Sequence, residues 1–217
     1  MRRQLLGVVE VLRSLPFWRV APLTMVSQSA FLSIQTLWGG PWLRDVAGLG
    51  PRMVAANLFV LGMAMVVGFL ATGWLTERLS RRGMAPMTIA GWGMAAFIVV
   101  QLVLLLPLAG GSVFVWFAGG TGLISYVVVS QSFHGRLTGR AKSTLNLLVF
   151  VAAFLAQWGM GVIIHRWEQV PTQHYGIGGY QTAFGLMIAL EILALIWYAF
   201  CYRRARLVAQ REESTCD

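Results

Sequence analysis

The chain has 217 residues, of which 57% are hydrophobic and 12% charged, with a formal net charge of +9. A soluble domain carries roughly twice that share of charged residues, so a water-soluble surface is excluded. The basic excess does not mark a nucleic-acid binder, because the Arg and Lys residues fall in short clusters between apolar runs, with no basic face and no aromatic-basic interleaving.

Asp, Glu, Lys, Arg and His are absent from residues 20–43, 53–76, 83–133 and 143–164. A bilayer core is crossed by about 20 apolar residues in a helix, so each run is long enough for one span and 83–133 for two. Ahead of them, residues 1–19 form a cytoplasmic or interfacial segment. Glu10 and Arg13 interrupt its apolar run too early for a signal peptide. Leu5, Leu6, Val8, Val9, Leu12 and Leu15 instead suggest a short amphipathic helix lying on the membrane.

Residues 20–203 then form an all-α transmembrane domain of six helices, at about 20–42, 54–77, 85–106, 112–133, 143–165 and 180–202. In the first span, Gln28 and Gln35 are seven residues apart, about two turns, and share a face. Gly39-Gly40-Pro41 weakens that span near its outer end, where a gate would bend. Gly62 and Gly68 in the second span, and Gly119, Gly120 and Gly122 in the fourth, permit close helix packing. The third and fourth spans are divided at Leu106-Pro107-Leu108-Ala109-Gly110-Gly111-Ser112, where Pro removes a donor and the glycines allow a turn. The polar side chains within spans are candidates for a substrate path, since such groups face protein or a water-filled cavity. They are Gln28, Gln35, Trp38 and Asn57, then Ser125, Tyr126 and Ser130 on the fourth span, and Asn146 and Gln157 on the fifth. Asn146, Ala153 and Gln157 share a helix face. Glu191 is the one ionisable residue deep within a span, near the middle of the sixth, and is a candidate proton site. It should be protonated, paired or in contact with water. Residues 204–217 form a cytoplasmic tail.

Six spans put both termini on one side. That side carries Arg2, Arg3, Arg13, Arg19, Arg78, Arg81, Arg82, Arg136, Arg140, Lys142, Arg203, Arg204, Arg206 and Arg211, fourteen cations against Arg44, Arg52 and Arg166 opposite. The asymmetry places both termini in the cytoplasm of a cell with a plasma or inner membrane.

The loop after the second span reads Gly73-Trp74-Leu75-Thr76-Glu77-Arg78-Leu79-Ser80-Arg81-Arg82-Gly83. It resembles the loop signature of the major facilitator superfamily, with Glu77 in place of Asp and Ser80 in place of the second Gly. The segment Phe17-Trp18-Arg19, the stretch from Gln35 to Asp45, the loop Gly135-Arg136-Leu137-Thr138-Gly139-Arg140-Ala141 with Asn146, and Gly179-Tyr180-Gln181-Thr182-Ala183-Phe184 extend the resemblance over nearly the whole chain. The C-terminal half of the family fold is favoured, because the fourth span lacks the intramembrane Arg of the family's fourth helix. The fifth span also lacks the Gly-Pro-rich signature of the family's antiporters, and the loop signature is the degenerate copy. The resemblance implies half of a major facilitator fold, a three-plus-three inverted repeat, although no internal sequence repeat is visible. It further implies a loop latch built on Gly73, Glu77, Arg78, Arg81 and Arg82, with the first, second, fourth and fifth spans lining a cavity.

Secondary transport of a small solute by alternating access is the leading expectation, with a separate six-helix N-terminal half or a second copy as partner and the lipid bilayer as solvent. The alternative is a non-transporting membrane subunit or truncated remnant. An intramembrane enzyme is disfavoured: there is no Gly-x-Ser-x-Gly element, and His134 and His165 fall at span ends on opposite faces. His134, His165 and His174 lack metal-ligand spacing and read as interfacial or solvated, and Cys201 and Cys216 read as incidental. Neither a metal nor another cofactor is expected.

Overall fold

Pro51 and Pro86 are the first residues of two long helices, and Pro16 sits in the opening turn of a third. Proline there loses nothing, because the first-turn N–H groups have no helical acceptor and its φ is already helical. The computed structural model describes residues 2–84, 86–104, 136–169 and 174–216. In chain order these form α1 (Arg2–Arg13), α2 (Leu15–Ser33), a π-helical turn (Ile34–Trp38), α3 (Gly39–Asp45), α4 (Pro51–Arg81), α5 (Pro86–Leu104), α6 (Arg136–His165), strands β1 (Glu168–Gln169) and β2 (His174–Tyr175), and α7 (Ile177–Cys216). β1 and β2 pair antiparallel, Glu168 with Tyr175 and Gln169 with His174.

Three helical stretches among the described residues are long and apolar enough to cross a membrane: Pro51–Arg81, Gly139–His165 and Ile177–Arg204. The apolar side chains they leave uncovered belong in lipid or against a partner. Phe59 and Leu70 of α4 are each 71% exposed, and Phe154 of α6 is 69% exposed. The second, fifth and sixth predicted spans coincide with these three helices, but the helices run further. α6 already includes Arg136, ahead of 143, and α7 runs on as far as Cys216, because a helix stops where the backbone is capped, not where hydropathy falls. The end of α4 shows this. Gly83, with φ +83°, caps the helix as Gly83 N–H donates to Ser80 O at 3.0 Å and Met84 N–H to Leu79 O at 3.2 Å. Those are the paired bonds of a left-handed C-terminal cap. The first predicted span is not one regular helix. In a regular helix Pro41 would clash with the carbonyl four residues before it, that of Leu37, and the chain ahead of it widens into the π turn. The fourth predicted span, 112–133, and the break before it lie outside the described residues.

α2 is the centre of the bundle, packed on α6 and α7; α5 packs on α7, and α4 contacts α3 and α5. Thr24, Ser27, Ser29 and Ser33 of α2 are all buried. Their hydroxyls donate back to carbonyls on their own helix: Thr24 to Val20 O at 3.3 Å, Ser27 to Thr24 O at 3.3 Å, Ser29 to Val26 O at 3.0 Å and Ser33 to Ser29 O at 2.6 Å. Small side chains thus bring neighbouring backbones close without leaving a donor unmet. α7 presents Tyr180, Phe184, Met187, Glu191, Ala194 and Tyr198 inward, a stripe with alternating spacings of four and three. The opposite end of the bundle is tied by Trp197 Nε1, which donates to Trp18 O at 3.0 Å.

Candidate functional site

The polar groups of α2 and α6 meet where the π turn passes α6. Ser33 Oγ reaches Ala153 O at 3.4 Å, Gln157 Nε2 donates to Thr36 Oγ1 at 3.1 Å, and Trp38 Nε1 approaches Gln157 O at 3.4 Å. Thr36 in turn donates to Leu32 O at 2.6 Å. A π turn adds a residue to the helical circuit and rotates the side chains beyond it, so such turns recur at functional sites. Here it brings Thr36 and Trp38 to the same partner residue. Gly161 lies opposite them, where a Cβ would come 3.2 Å from Trp38 Cζ2 and the indole would have to give by a few tenths of an ångström.

Beyond this seam lies an aromatic cluster. Trp38 meets Tyr175 edge-on at 6.3 Å between centroids and Tyr180 at 6.5 Å, while Tyr175 and Tyr180 are 6.4 Å apart. Beside the rings sits Asp45, whose side chain is wholly buried although that of Arg44 is 49% exposed. Asp45 accepts from Arg44 Nε at 2.7 Å, from Tyr180 Oη at 2.8 Å and from the Tyr175 N–H at 3.4 Å. One carboxylate therefore joins α3, the β-hairpin and the start of α7. Its hydrogen bond holds the Arg44 guanidinium above its ordinary value. Gly179 completes the junction: a Cβ there would meet Trp167 Cβ at 3.0 Å and Ile164 Cα at 3.2 Å.

Of the sequence-predicted path residues, Trp38 and Gln157 are brought together. Gln35 is half-buried in the π turn and Gln28 half-buried two turns below it. Asn57 donates its amide to Met53 O of its own helix at 2.8 Å and reaches no neighbour through that bond. Asn146 is exposed on α6, whereas Ala153 on the same helix is buried. Ser125, Tyr126 and Ser130 lie outside the described residues. The loop signature ends α4: Arg81 pairs with Glu77 at 2.6 Å, and Arg78 stacks over Trp74 at 5.2 Å. With Arg82 they line a surface cavity of about 410 Å3, and Gly73 is exposed one turn earlier. Glu191 is buried and accepts from Gln101 Nε2. Thr36, Asp45 and Tyr180 fall within stretches that carry the resemblance but are given no role there, and Tyr175 and Gln101 are not singled out by sequence reasoning. For Asp45 a signal exists, a carboxylate abutting the end of a charge-free run.

No family model matches the chain, and no curated protein matches it. Among solved structures it is similar to a bacterial homologue of the iron transporter ferroportin in an outward-facing state, at 13% identity and a TM-score of 0.62. The match covers 86% of this chain and 45% of that one, so the chain spans less than half the transporter's length. At that identity the likeness shows the fold alone: the chain is a helical membrane protein folded like part of that transporter.

Proposed function

We propose that the chain is a six-helix half of a major facilitator-type secondary transporter, moving a small solute by alternating access with both termini in the cytoplasm. The observation that carries this reading is the Thr36–Gln157–Trp38 seam, a cross-helix polar contact at an irregular turn, on a fold like that of a transporter. The second six-helix half comes from a separate chain, from a second copy or from further sequence of the same protein. Without it the cavity face of the first, second, fourth and fifth spans has no opposing wall.

The described wall offers two amides, a hydroxyl and an indole, all uncharged, at Gln35, Gln157, Thr36 and Trp38. These suit a polar solute recognised by neutral hydrogen bonds. Reconstitution into vesicles tests the reading: flux should require a second half, and robust uptake by a verified monomer refutes it. In an active complex, Gln157→Ala and Thr36→Val should each lower flux about 2- to 10-fold, the equivalent of one neutral hydrogen bond. Unchanged flux in both would remove the seam from the path.

A further inference from the structure

Helices α5 and α7 lie antiparallel, and two polar contacts mark their register. Thr88 Oγ1 and Tyr202 Oη are 3.4 Å apart near one end, and Gln101 Nε2 donates to Glu191 Oε2 further along. Glu191 is 0% exposed and Gln101 1%. Each occupies a core position of an apolar stripe: Glu191 falls between Met187 and Ala194, and Gln101 comes after Phe97 and Ile98.

The hydrogen-bond inventory of this pair is incomplete in a particular way. Gln101 Oε1 and Glu191 Oε1 are both buried and both lack a partner. An ionised carboxylate is acceptor-only, so the two leftover atoms would be a pair of acceptors with no donor. Among the described residues no cation is placed to help. α5 carries none, α2 has Arg19 in its second turn, and the basic groups of α6 are Arg136, Arg140, Lys142 and His165 near its ends. Residues 105–133 contain no charged side chain, and the other titratable groups on the apolar length of α7 are Tyr180, Tyr198, Cys201 and Tyr202, which are acids. A single hydrogen on Glu191 Oε1 resolves both deficits at once. It turns one orphan acceptor into a donor, and the orphan acceptor on the amide already bonded to this carboxyl is Gln101 Oε1. A carboxylic acid and a primary amide each present one donor and one acceptor in a plane, and the terminal torsions that align them are soft.

We propose that Glu191 holds a proton on Oε1 and forms with Gln101 a neutral, reciprocal acid–amide pair that fixes the register of α5 on α7. Sliding α5 by one residue would break both bonds and bury four unmatched polar atoms. A lone polar residue at a core position sets register in coiled coils for the same reason. The pair acts as a structural connector between the two helices.

The test uses the purified full chain in lipid nanodiscs at neutral pH. The infrared difference spectrum between wild type and Glu191→Gln should show a protonated carboxyl C=O stretch lost in the variant, and Gln101→Leu should shift that band. A carboxylate stretch lost instead overturns the proposal. Thermal midpoints give a second readout independent of folding failure in any one variant. Glu191→Gln, which keeps a planar donor and acceptor, should melt with wild type. Glu191→Leu and Gln101→Leu should each melt lower, and the double Leu variant should melt above the sum of the two losses. Additive losses overturn the pairing.

Discussion

Replacing Asp45 by Ala tests whether one carboxylate holds the hairpin end of the bundle. The side chain is wholly buried and receives Tyr180 Oη at 2.8 Å, Arg44 Nε at 2.7 Å and the Tyr175 N–H at 3.4 Å. A hydrogen bond to a charged acceptor contributes about 1.5–3 kcal/mol, and its loss leaves the buried Tyr180 hydroxyl without that acceptor. Arg44 is half exposed, so water screens its ion pair to ~1 kcal/mol or less. Three variants should therefore rank in order: Asp45→Ala loses about 3–5 kcal/mol, Tyr180→Phe about 1.5–3 kcal/mol, and Arg44→Ala at most ~1 kcal/mol. At about 2–4 °C per kcal/mol for a chain of this size, the first two separate by several degrees. Tryptophan fluorescence during heating reads this out, since Trp38 lies in the cluster, with apparent midpoints compared at one scan rate. Should Asp45→Ala melt no lower than Arg44→Ala, the carboxylate is not the anchor of this junction.

Glycine substitutions separate close packing from open surface. Gly179→Ala should lower the midpoint by the equivalent of about 1–3 kcal/mol, since its Cβ meets the Ile164 backbone. Gly62→Ala on α4 meets nothing within 4 Å and should be neutral or stabilising by up to ~1 kcal/mol; a loss there would reveal an unrecognised neighbour. Reporter fusions at Gly50, Gly83, Gly110, Gly139 and Gly176 should alternate out, in, out, in, out, and two adjacent fusions on one side would remove the six-span topology. Arg81→Ala should change stability by ~0.5 kcal/mol or less, because its partner Glu77 and Arg81 itself are 63% and 78% exposed; a larger loss would mean the pair is covered in the assembled protein.

How far the fold is legible in the sequence depends on the range of each interaction. Charge-free runs locate the helices over 51–81, 86–104, 136–165 and 177–204, because desolvating charge is a property of single residues and needs no partner. Helix ends are less legible: α6 already runs through Arg136, Arg140 and Lys142, ahead of the charge-free stretch that begins at 143. Trp38 and Gln157 are visible as polar groups in apolar surroundings, yet the π turn that aligns them depends on Pro41 acting back along the chain. Asp45 reads locally as one half of an Arg44–Asp45 loop pair, and only the fold brings Tyr180, 135 residues later, to its other oxygen. Gln101 carries no local signal, since its partner lies 90 positions away.

The self-contained hydroxyls of α2 bear on how such a bundle can move. Between Val20 and Ser29 the hydroxyls of the central helix close on its own backbone, so its neighbours see a surface of small, already satisfied groups. Cross-helix bonds gather past that stretch, at Ser33, Thr36, Trp38 and Asp45, while at the far end Trp18 accepts a single bond from Trp197. Among the described residues the helix is fastened at one end by several cross-helix bonds, at the other by Trp18, which accepts from Trp197 and donates to Leu12 O at 2.6 Å, and is packed by dispersion contacts between. A tilt about the π-turn end would disturb dispersion contacts along the middle and the two bonds of Trp18 at the tip. Among the described residues the cross-helix hydrogen bonds of this segment are thus concentrated at the π-turn end, and a tilt of α2 about that end would leave most of them in place.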